Sequence, residues 1–316
     1  MPEPRFLQIQ QVDAGAERAV ARAALLAPRA SIAPKYFYDR LGSLLFEAIT
    51  ALPEYYPTRA EARLFERHGA AMAQAIGVVG TMFDLGAGSC AKAAGLFPLI
   101  EPARYVAVDV SVEFVREALR RLHREHPRIE MTALGMDFSS SLALPAGLSH
   151  GRPLFFYPGS SIGNFTPDEA LAFLRRVRSQ ADGGALLVGV DLVKAKDVLE
   201  AAYDDALGVT AAFNLNMLRH LNGVIGSDFD VAQWRHVALY DENASRIEMH
   251  LEACAPTLVR WPGGERRFAA GERILTEYSY KYTLDRFESL LRAAGFTQTR
   301  CWSDDRGDFA IFLGLP

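Results

Sequence analysis

Short apolar runs, bounded by Gly or Asp, recur through the middle of the chain. They are Met82–Leu85, Tyr105–Asp109, Met131–Leu134, Leu154–Tyr157 and Ala185–Val190. Between these runs the apolar positions follow the spacing of a helix. This alternation is typical of a parallel sheet covered by helices. The pattern therefore predicts a doubly wound α/β domain in the middle of the chain.

Local signals support two of the helices and one hairpin. Ser111 can cap a helix after the second predicted strand. Thr166 can cap the helix after the fourth strand, with Pro at the first helical position and Glu169 three residues after the cap. Near the C-terminus, Thr297–Trp302 and Phe309–Leu313 flank a polar turn. This arrangement predicts an antiparallel hairpin that completes one edge of the sheet.

The remaining segments, an N-terminal helical stretch and an insertion, do not fit this sheet. We expect a first domain of residues 58–193 plus 283–316, and a second, smaller α+β domain of residues 1–57 plus 194–282.

The insertion contains two patterns of period two, which are typical of half-buried strands. Ile247, Met249 and Leu251 alternate with polar residues. In the second pattern Glu277 and Ser279 alternate with tyrosines, so these two polar side chains share one face of a strand. The competing interpretation is a solvated strand face with a cross-strand salt bridge.

Charge and composition narrow the class of protein. The 316 residues include 34 Lys and Arg against 38 Asp and Glu, a net charge of −4, which offers little attraction to nucleic acid or to an anionic membrane. The three cysteines lie far apart and indicate neither disulfides nor a thiolate metal site. The N-terminus lacks an export signal, and arginines interrupt the longest Ala/Leu-rich stretch. We expect a monomeric cytoplasmic protein that acts on a small molecule and needs no metal.

A glycine turn follows the first predicted strand. Gly86 and Gly88 come directly after Asp84-Leu85, and residues without side chains let backbone N–H groups approach a ligand. With Ala91, and with Asp109 at the end of the second strand, the turn also satisfies the loose fingerprint of dinucleotide-binding proteins. The turn alone therefore leaves the nature of the ligand open.

Acidic residues at successive strand ends favour S-adenosylmethionine. Asp84 and Asp137 would repel the pyrophosphate of a dinucleotide, whereas S-adenosylmethionine carries positive charge and no phosphate. We assign Asp109 to the ribose hydroxyls, Asp137 and Phe138 to the adenine, and the turn from Asp84 to Gly88 to the methionine portion. The alternative is that Asp84 and Asp137 are ordinary loop acids.

The loop after the fourth strand, Gly159 to Asn164, would face the methyl donor, because ligands of open α/β sheets lie beyond the carboxyl ends of the strands. This loop belongs to a series of ordered motifs: Phe37 to Ser43, Leu52 to Arg59, Gly159 to Asn164, Asp191 to Lys194, Tyr203 to Asp205, Phe213 to Asn216, Arg246 to Met249 and Leu275 to Ser279. Through these motifs the chain resembles, nearly end to end, the histidine Nα-methyltransferases of ergothioneine biosynthesis. Members of that family convert L-histidine into its trimethyl betaine, hercynine.

The resemblance implies a Rossmann-like class I methyltransferase sheet and a role for each matching residue. Asn164 and Tyr203 would hold the substrate carboxylate, and Tyr38 and Gly159 would lie near the α-amino group. Phe46 would form an aromatic wall beside the reacting nitrogen. The imidazole would be enclosed by Tyr55, Met249, Glu277 and Ser279.

The donor loop departs from the family. A Gly-Ser-Gly-Thr-like run is common there, and this chain has Gly86-Ala87-Gly88-Ser89-Cys90. Lys92 is kept and is counted with the donor-binding residues. Two other functions remain open: methylation of a different amino acid or small amine, and S-adenosylmethionine binding without catalysis.

Overall fold

The computed structural model describes residues 3–9, 13–110 and 112–316, and at residues 112–114 it describes the backbone alone. The strands are β1 Arg5–Gln8, β2 Thr81–Leu85, β3 Arg104–Asp109, β4 Glu130–Gly135, β5 Pro153–Tyr157, β6 Ala185–Asp191, β7 Trp234–Asp241, β8 Arg246–Ala253, β9 Thr257–Trp261, β10 Gly264–Phe268, β11 Arg273–Tyr280, β12 Gln298–Ser303 and β13 Phe309–Leu315. The helices are α1 Ala14–Leu26, α2 Arg40–Thr50, α3 Tyr56–Ile76, α4 Ala91–Ile100, α5 Val112–Glu125, α6 Pro167–Gln180, α7 Lys196–Ala201, α8 Val209–Ile225 and α9 Leu284–Ala293.

An eight-stranded sheet has the order β1-β4-β3-β2-β5-β6-β13-β12. Its first six members run parallel to one another, and β13 runs antiparallel to both β6 and β12. Every residue of β2, β5 and β6 is buried, as expected of strands covered on both faces. The predicted doubly wound sheet and its terminal hairpin are confirmed.

The two predicted helix caps have different outcomes. Thr166 and Glu169 form the predicted capping box at the start of α6, with Pro167 at the first helical position. Ser111 lies outside the described residues.

One strand of the large sheet differs from expectation. Residues 1–57 were assigned to the second domain, but Arg5 to Gln8 pair in parallel with Thr132 to Gly135. The prediction was wrong for this segment because the Arg-Phe-Leu-Gln strand is four residues long with polar ends, too short to show a periodic pattern.

The chain divides into two compact units. Unit 1 contains Met1–Gln10, Pro57–Val193 and Tyr280–Pro316, and unit 2 contains Gln11–Tyr56 and Lys194–Ser279. Unit 2 has its own apolar core of helices and strands, with Phe37, Phe213 and Leu221 among its buried members. Its sheets have the orders β11-β8-β7 and β10-β9. The strand patterns predicted β8 and β11, whereas β7, β9, β10 and α8 were not located from the sequence.

Strand β11 is more deeply buried than its alternation predicted. Glu277 and Ser279 are 9% and 3% exposed, and Thr276 on the opposite face is 1% exposed. The solvated strand face is therefore ruled out. Lys281 continues the alternation of Glu277 and Ser279 just after the strand. Its fully buried ammonium lies 2.8 Å from the Asp191 carboxylate, so this polar residue is also paired in the interior.

Candidate active site

The glycine turn joins β2 to α4 in a tight bend. Gly86 and Gly88 have φ of +74° and +50°, a conformation that side chains with a Cβ rarely adopt. The backbone N–H groups of Gly86 and Ala87 both donate to the Val108 carbonyl of β3, over 2.8 and 3.2 Å. These bonds hold the turn beside the end of β3, as the strand-to-helix prediction requires.

Two of the predicted donor-binding residues are in direct contact. The Gly88 N–H donates to the Asp109 carboxylate over 3.0 Å. Phe138 lies beside the glycine turn, because a Cβ placed on Gly86 would be 3.8 Å from the ring atom Cζ of Phe138. The structure thus brings Gly86, Gly88, Asp109 and Phe138 together at the carboxyl ends of the parallel strands.

Asp137 also lies in this region, in the loop after β4. Its carboxylate accepts a hydrogen bond from the Ser139 backbone N–H over 3.0 Å and a second one from the Ser139 hydroxyl. These local bonds orient the loop. The contact of Asp137 with adenine stays a prediction.

Asp84 is a buried carboxyl group, 2% exposed, at the end of β2. Burial raises the pKa of Asp84 to about 7, with smaller upward contributions from Asp109 and Glu61, although the Tyr105 hydroxyl and Lys92 act in the opposite direction. The hydroxyl donates to Asp84 Oδ2 over 2.7 Å. Asp84 Oδ1 has no hydrogen-bond partner among the described residues. A buried carboxylate is costly unless it is paired, so this oxygen suits a ligand that brings positive charge.

The loop after β5 carries the next pair of predicted residues. Gly159 and Ser160 have φ of +77° and +62°, and a short 3-10 helix, Ser161–Asn164, follows. The Asp191 backbone N–H donates to Ser160 Oγ over 2.8 Å, which ties the loop to the end of β6. Gly159 and Asn164 therefore lie in one short, anchored segment, as predicted.

A buried acid in α3 was missed by sequence reasoning. The Glu61 side chain is 1% exposed and its Oε2 lies 2.6 Å from the Lys92 ammonium, while its Oε1 accepts the Gly159 N–H over 2.7 Å. The available signal was its position: Ala60, Glu61 and Leu64 share the buried side of α3, so Glu61 is a single acid within an apolar stripe.

In unit 2, four residues with predicted roles form a chain of edge-to-face aromatic contacts. The ring centroids of Tyr38 and Phe46 lie 5.9 Å apart, those of Phe46 and Tyr55 6.3 Å, and those of Tyr55 and Tyr203 6.4 Å. Phe213 of α8, which belongs to one of the family motifs but has no predicted role, lies 5.9 Å from both Tyr38 and Phe46. The structure thus brings the predicted aromatic residues of the acceptor site together.

The same cluster connects to the polar face of β11. The hydroxyl groups of Tyr203 and Ser279 are hydrogen-bonded at 2.7 Å, and Glu277 is buried two residues earlier. The Thr276 hydroxyl donates to the Met249 carbonyl over 3.0 Å, which joins β11 to β8 beside this face. Unit 2 therefore combines partly buried aromatic rings and the buried Tyr203 with a buried carboxyl and hydroxyl pair.

His236 supports the backbone of Tyr203 through a hydrogen bond. The Asn214 amide donates to His236 Nδ1 over 2.8 Å, and His236 Nε2 donates to the Tyr203 carbonyl over 2.8 Å. Burial lowers the pKa of His236, which is consistent with the neutral ring that these two bonds require. Sequence reasoning missed this contact because the two residues lie far apart along the chain.

The described ranges contain no group of three or more His, Cys, Asp and Glu residues that could hold a metal ion. Within the same ranges, no helix is both long enough and apolar enough to span a bilayer.

Comparison with known proteins identifies the family. The sequence profile of the S-adenosylmethionine-dependent, histidine-specific methyltransferases matches residues 17–315. A histidine N-alpha-methyltransferase of Mycolicibacterium smegmatis is 40% identical over 313 residues, 96% of each chain. One of Mycobacterium tuberculosis is 40% identical over 90% of this chain and 89% of that protein. The ergothioneine biosynthesis protein 1 of Neurospora crassa is 32% identical over 84% of this chain and 31% of its own length. The chain therefore belongs to the S-adenosylmethionine-dependent, histidine-specific methyltransferases.

Proposed function

We propose that this protein transfers three methyl groups in succession from S-adenosylmethionine to the α-nitrogen of L-histidine, forming hercynine for ergothioneine biosynthesis. The observation that carries the proposal is the buried polar face of β11, where Glu277 and Ser279 lie next to the aromatic cluster through Tyr203. An imidazole offers one N–H group and one acceptor nitrogen to such a face. A non-polar side chain of similar size would leave these buried groups unpaired, at a free-energy cost that excludes it.

The donor residues of unit 1 fit the charge of S-adenosylmethionine. Asp84 Oδ1 is buried without a protein partner among the described residues, and the Gly86–Gly88 turn leaves room at the backbone. A cation at this position would return the Asp84 carboxyl to its ionised form. Asp109, Asp137 and Phe138 would hold the nucleoside, and Lys92 the methionine carboxylate.

When bound, S-adenosylmethionine supplies the methyl group. The amine lone pair attacks the methyl carbon, and the electron pair of the broken carbon–sulfur bond stays on the sulfur, which leaves as a neutral thioether. The work left to this chain is alignment and exclusion of water. Asn164 and Tyr203 would hold the histidine carboxylate, and Gly159 would orient the α-amino group. Because a free amine has a pKa of roughly 8 or above, it must lose a proton before each transfer, and Tyr38 or an ordered water would help to remove that proton.

Aromatic rings allow the nitrogen to gain charge as methyl groups accumulate. Phe46 contacts both Tyr38 and Tyr55, and the faces of such rings attract a quaternary ammonium by about 0.5–2 kcal/mol. The trimethylated product would therefore be tolerated beside the same wall that holds the free amine.

The test is to incubate the protein with S-adenosylmethionine and a panel of amino acids and to follow product masses over time. We expect L-histidine to gain one, two and then three methyl groups, with fragmentation placing all of them on the α-nitrogen. A better acceptor elsewhere in the panel would assign another substrate. Methylation of the ring would also contradict the proposal, and donor binding without turnover would indicate a non-catalytic protein.

A further inference from the structure

We propose that Glu61 is a positioning residue of the methyl-transfer reaction, because one buried carboxylate holds both a donor-binding side chain and the loop that orients the amine. The inference rests on the proposed function and extends it to a residue outside the predicted site.

The position of Glu61 is unusual for a surface helix. Its side chain is 1% exposed, although ionised carboxylates are rarely buried without a partner. Both oxygens are used: Oε2 pairs with the Lys92 ammonium at 2.6 Å, and Oε1 accepts the Gly159 N–H at 2.7 Å. Lys92 comes from the first turn of α4 and Gly159 from the loop after β5. A single side chain therefore connects three elements of unit 1.

Strand β6 is shaped to admit this carboxylate. A Cβ on Gly189, in the middle of the strand, would lie 2.4 Å from Glu61 Oε1 and 3.1 Å from the Gly159 nitrogen. Only glycine leaves room for this contact. The absence of a side chain at Gly189 is thus explained by the approach of Glu61.

The Gly159 contact matters because of the backbone conformation there. Gly159 has φ of +77°, and its N–H points to Glu61, so the peptide plane that follows β5 is held in one orientation. The next residue, Ser160, is held by the Asp191 N–H over 2.8 Å. Two anchors thus fix the start of the loop that carries Gly159 and Asn164.

The Lys92 contact matters because of charge. The Lys92 side chain is 38% exposed, whereas its partner is buried. The carboxylate therefore holds the Lys92 ammonium itself, while the Lys92 side chain stays exposed enough to contact a ligand. Without the Glu61 carboxylate, the Lys92 side chain would adopt other rotamers, and its ammonium would no longer be held in one position for the donor.

The experiment uses four variants of the full chain: Glu61→Gln, Glu61→Ala, Lys92→Met and the Glu61→Gln/Lys92→Met double variant. Glu66→Gln, which removes an exposed acid from the same helix, is the matched control. Donor Kd is measured by calorimetry without histidine, kcat and KM for L-histidine by product mass, and folding by circular dichroism and thermal melting.

Glu61→Gln keeps an acceptor for the Gly159 N–H and removes the charge that holds Lys92. We expect it to weaken donor binding by about tenfold, the usual effect of losing one charge-assisted contact, and we expect less than a twofold further change when Lys92 is already Met. Glu61→Ala also removes the Gly159 anchor, so its kcat should fall about tenfold below that of Glu61→Gln. Glu66→Gln should match the wild type.

Two results would overturn the proposal. One is a Glu61→Gln protein whose donor Kd and kcat stay within about twofold of the wild type, and the other is the same loss of donor affinity in the presence and absence of Lys92. If Glu61→Ala does not fold, the double-mutant cycle of Glu61→Gln and Lys92→Met still tests the proposal. The donor arm contains no histidine, so a wild-type protein that binds S-adenosylmethionine but leaves histidine unmodified refutes the proposed function and not the Glu61–Lys92 contact.

Discussion

Glu277 is the residue whose removal tests acceptor recognition most directly. We expect Glu277→Ala to raise the KM for L-histidine by about 10- to 100-fold, because a buried charge-assisted hydrogen bond to the imidazole is lost. The Kd of S-adenosylmethionine should stay unchanged. Steady-state kinetics and calorimetry measure the two quantities separately.

Asp109→Ala is the reciprocal control, since this carboxylate contacts the glycine turn. It should weaken donor binding and leave the KM for histidine, measured at saturating donor, nearly unchanged. Equal effects of either variant on both ligands would contradict the division of roles between donor and acceptor residues.

Asp84 predicts a pH dependence of donor binding. Because burial raises its pKa to about 7, the carboxyl of the free protein is largely protonated below that pH, and a positively charged donor favours the ionised form. Donor binding should therefore tighten as pH rises through about 7 and should release a proton at lower pH. Calorimetry in buffers of different ionisation enthalpy measures the number of protons released on donor binding. The Asp84→Asn variant should not release the proton that Asp84 contributes.

The same shift has a defined sign for stability. Between about pH 4 and 7 the folded chain keeps a proton on Asp84 that the unfolded chain has released, so this residue makes the free energy of unfolding fall as pH rises through that window. Asp84→Asn should flatten this contribution in urea titrations at several pH values. An unchanged pH profile in the variant would show that Asp84 is ionised throughout.

At the residue scale, the residues that could be predicted from the sequence are those at recognisable positions. Asp84, Asp109 and the glycines lie at strand ends, where chemistry collects in an open α/β sheet. Glu61 and His236 act through contacts with residues distant along the chain. The apolar stripe of α3 could mark Glu61 as a buried acid, but no local pattern encodes which residues Glu61 and His236 contact, so those partners could be found only in the folded structure.

Strand β6 provides the prediction at the scale of elements. Gly189→Ala would place a Cβ 2.4 Å from Glu61 Oε1. Because β6 is fully buried, the Glu61 carboxylate would have to move away from the strand within the packed interior. We expect the free energy of unfolding to fall by about 1–3 kcal/mol, as for other overpacked interiors, and kcat to fall with it. Chemical denaturation and product formation measure the two effects.

Gly95→Ala in α4 is the matched control. A Cβ there meets no atom within 4 Å, so the substitution should raise the free energy of unfolding by up to about 1 kcal/mol through helix propensity. Similar behaviour of the two variants would show that β6 tolerates a side chain at Gly189.

The elements that could be predicted were those with a repeated signal. The buried strands β2 to β6 and the last strand, β13, each show a clear apolar run, whereas the polar β12 was predicted from the turn between it and β13. Strand β1 has four residues and depends on β4 as its partner. Strand β11 shows the limit of periodicity, because its polar alternation correctly predicts which side chains share a face but not that the face is buried.

For the molecule as a whole, we expect ligand-linked stability in unit 1. S-adenosylmethionine at 100 times its Kd should raise the free energy of unfolding of the unit that carries Asp84, Gly88 and Asp109 by about 2.7 kcal/mol. Differential scanning calorimetry measures the rise as a shift of the transition. At the same donor concentration Asp109→Ala should show a much smaller shift, and an equal shift would place the donor elsewhere.

Strand β13 has a consequence for how the protein is made. It lies between β6 and β12 in the large sheet, yet its residues, Phe309–Leu315, come after both of these strands along the chain. A ribosome therefore delivers β13 after both of its neighbours, and until then the edge of β6 has no neighbour on that side. Until β13 is available, that unpaired edge could pair with another copy of the chain. A stop codon just before Phe309 would leave both β6 and β12 without the strand that joins them in the sheet.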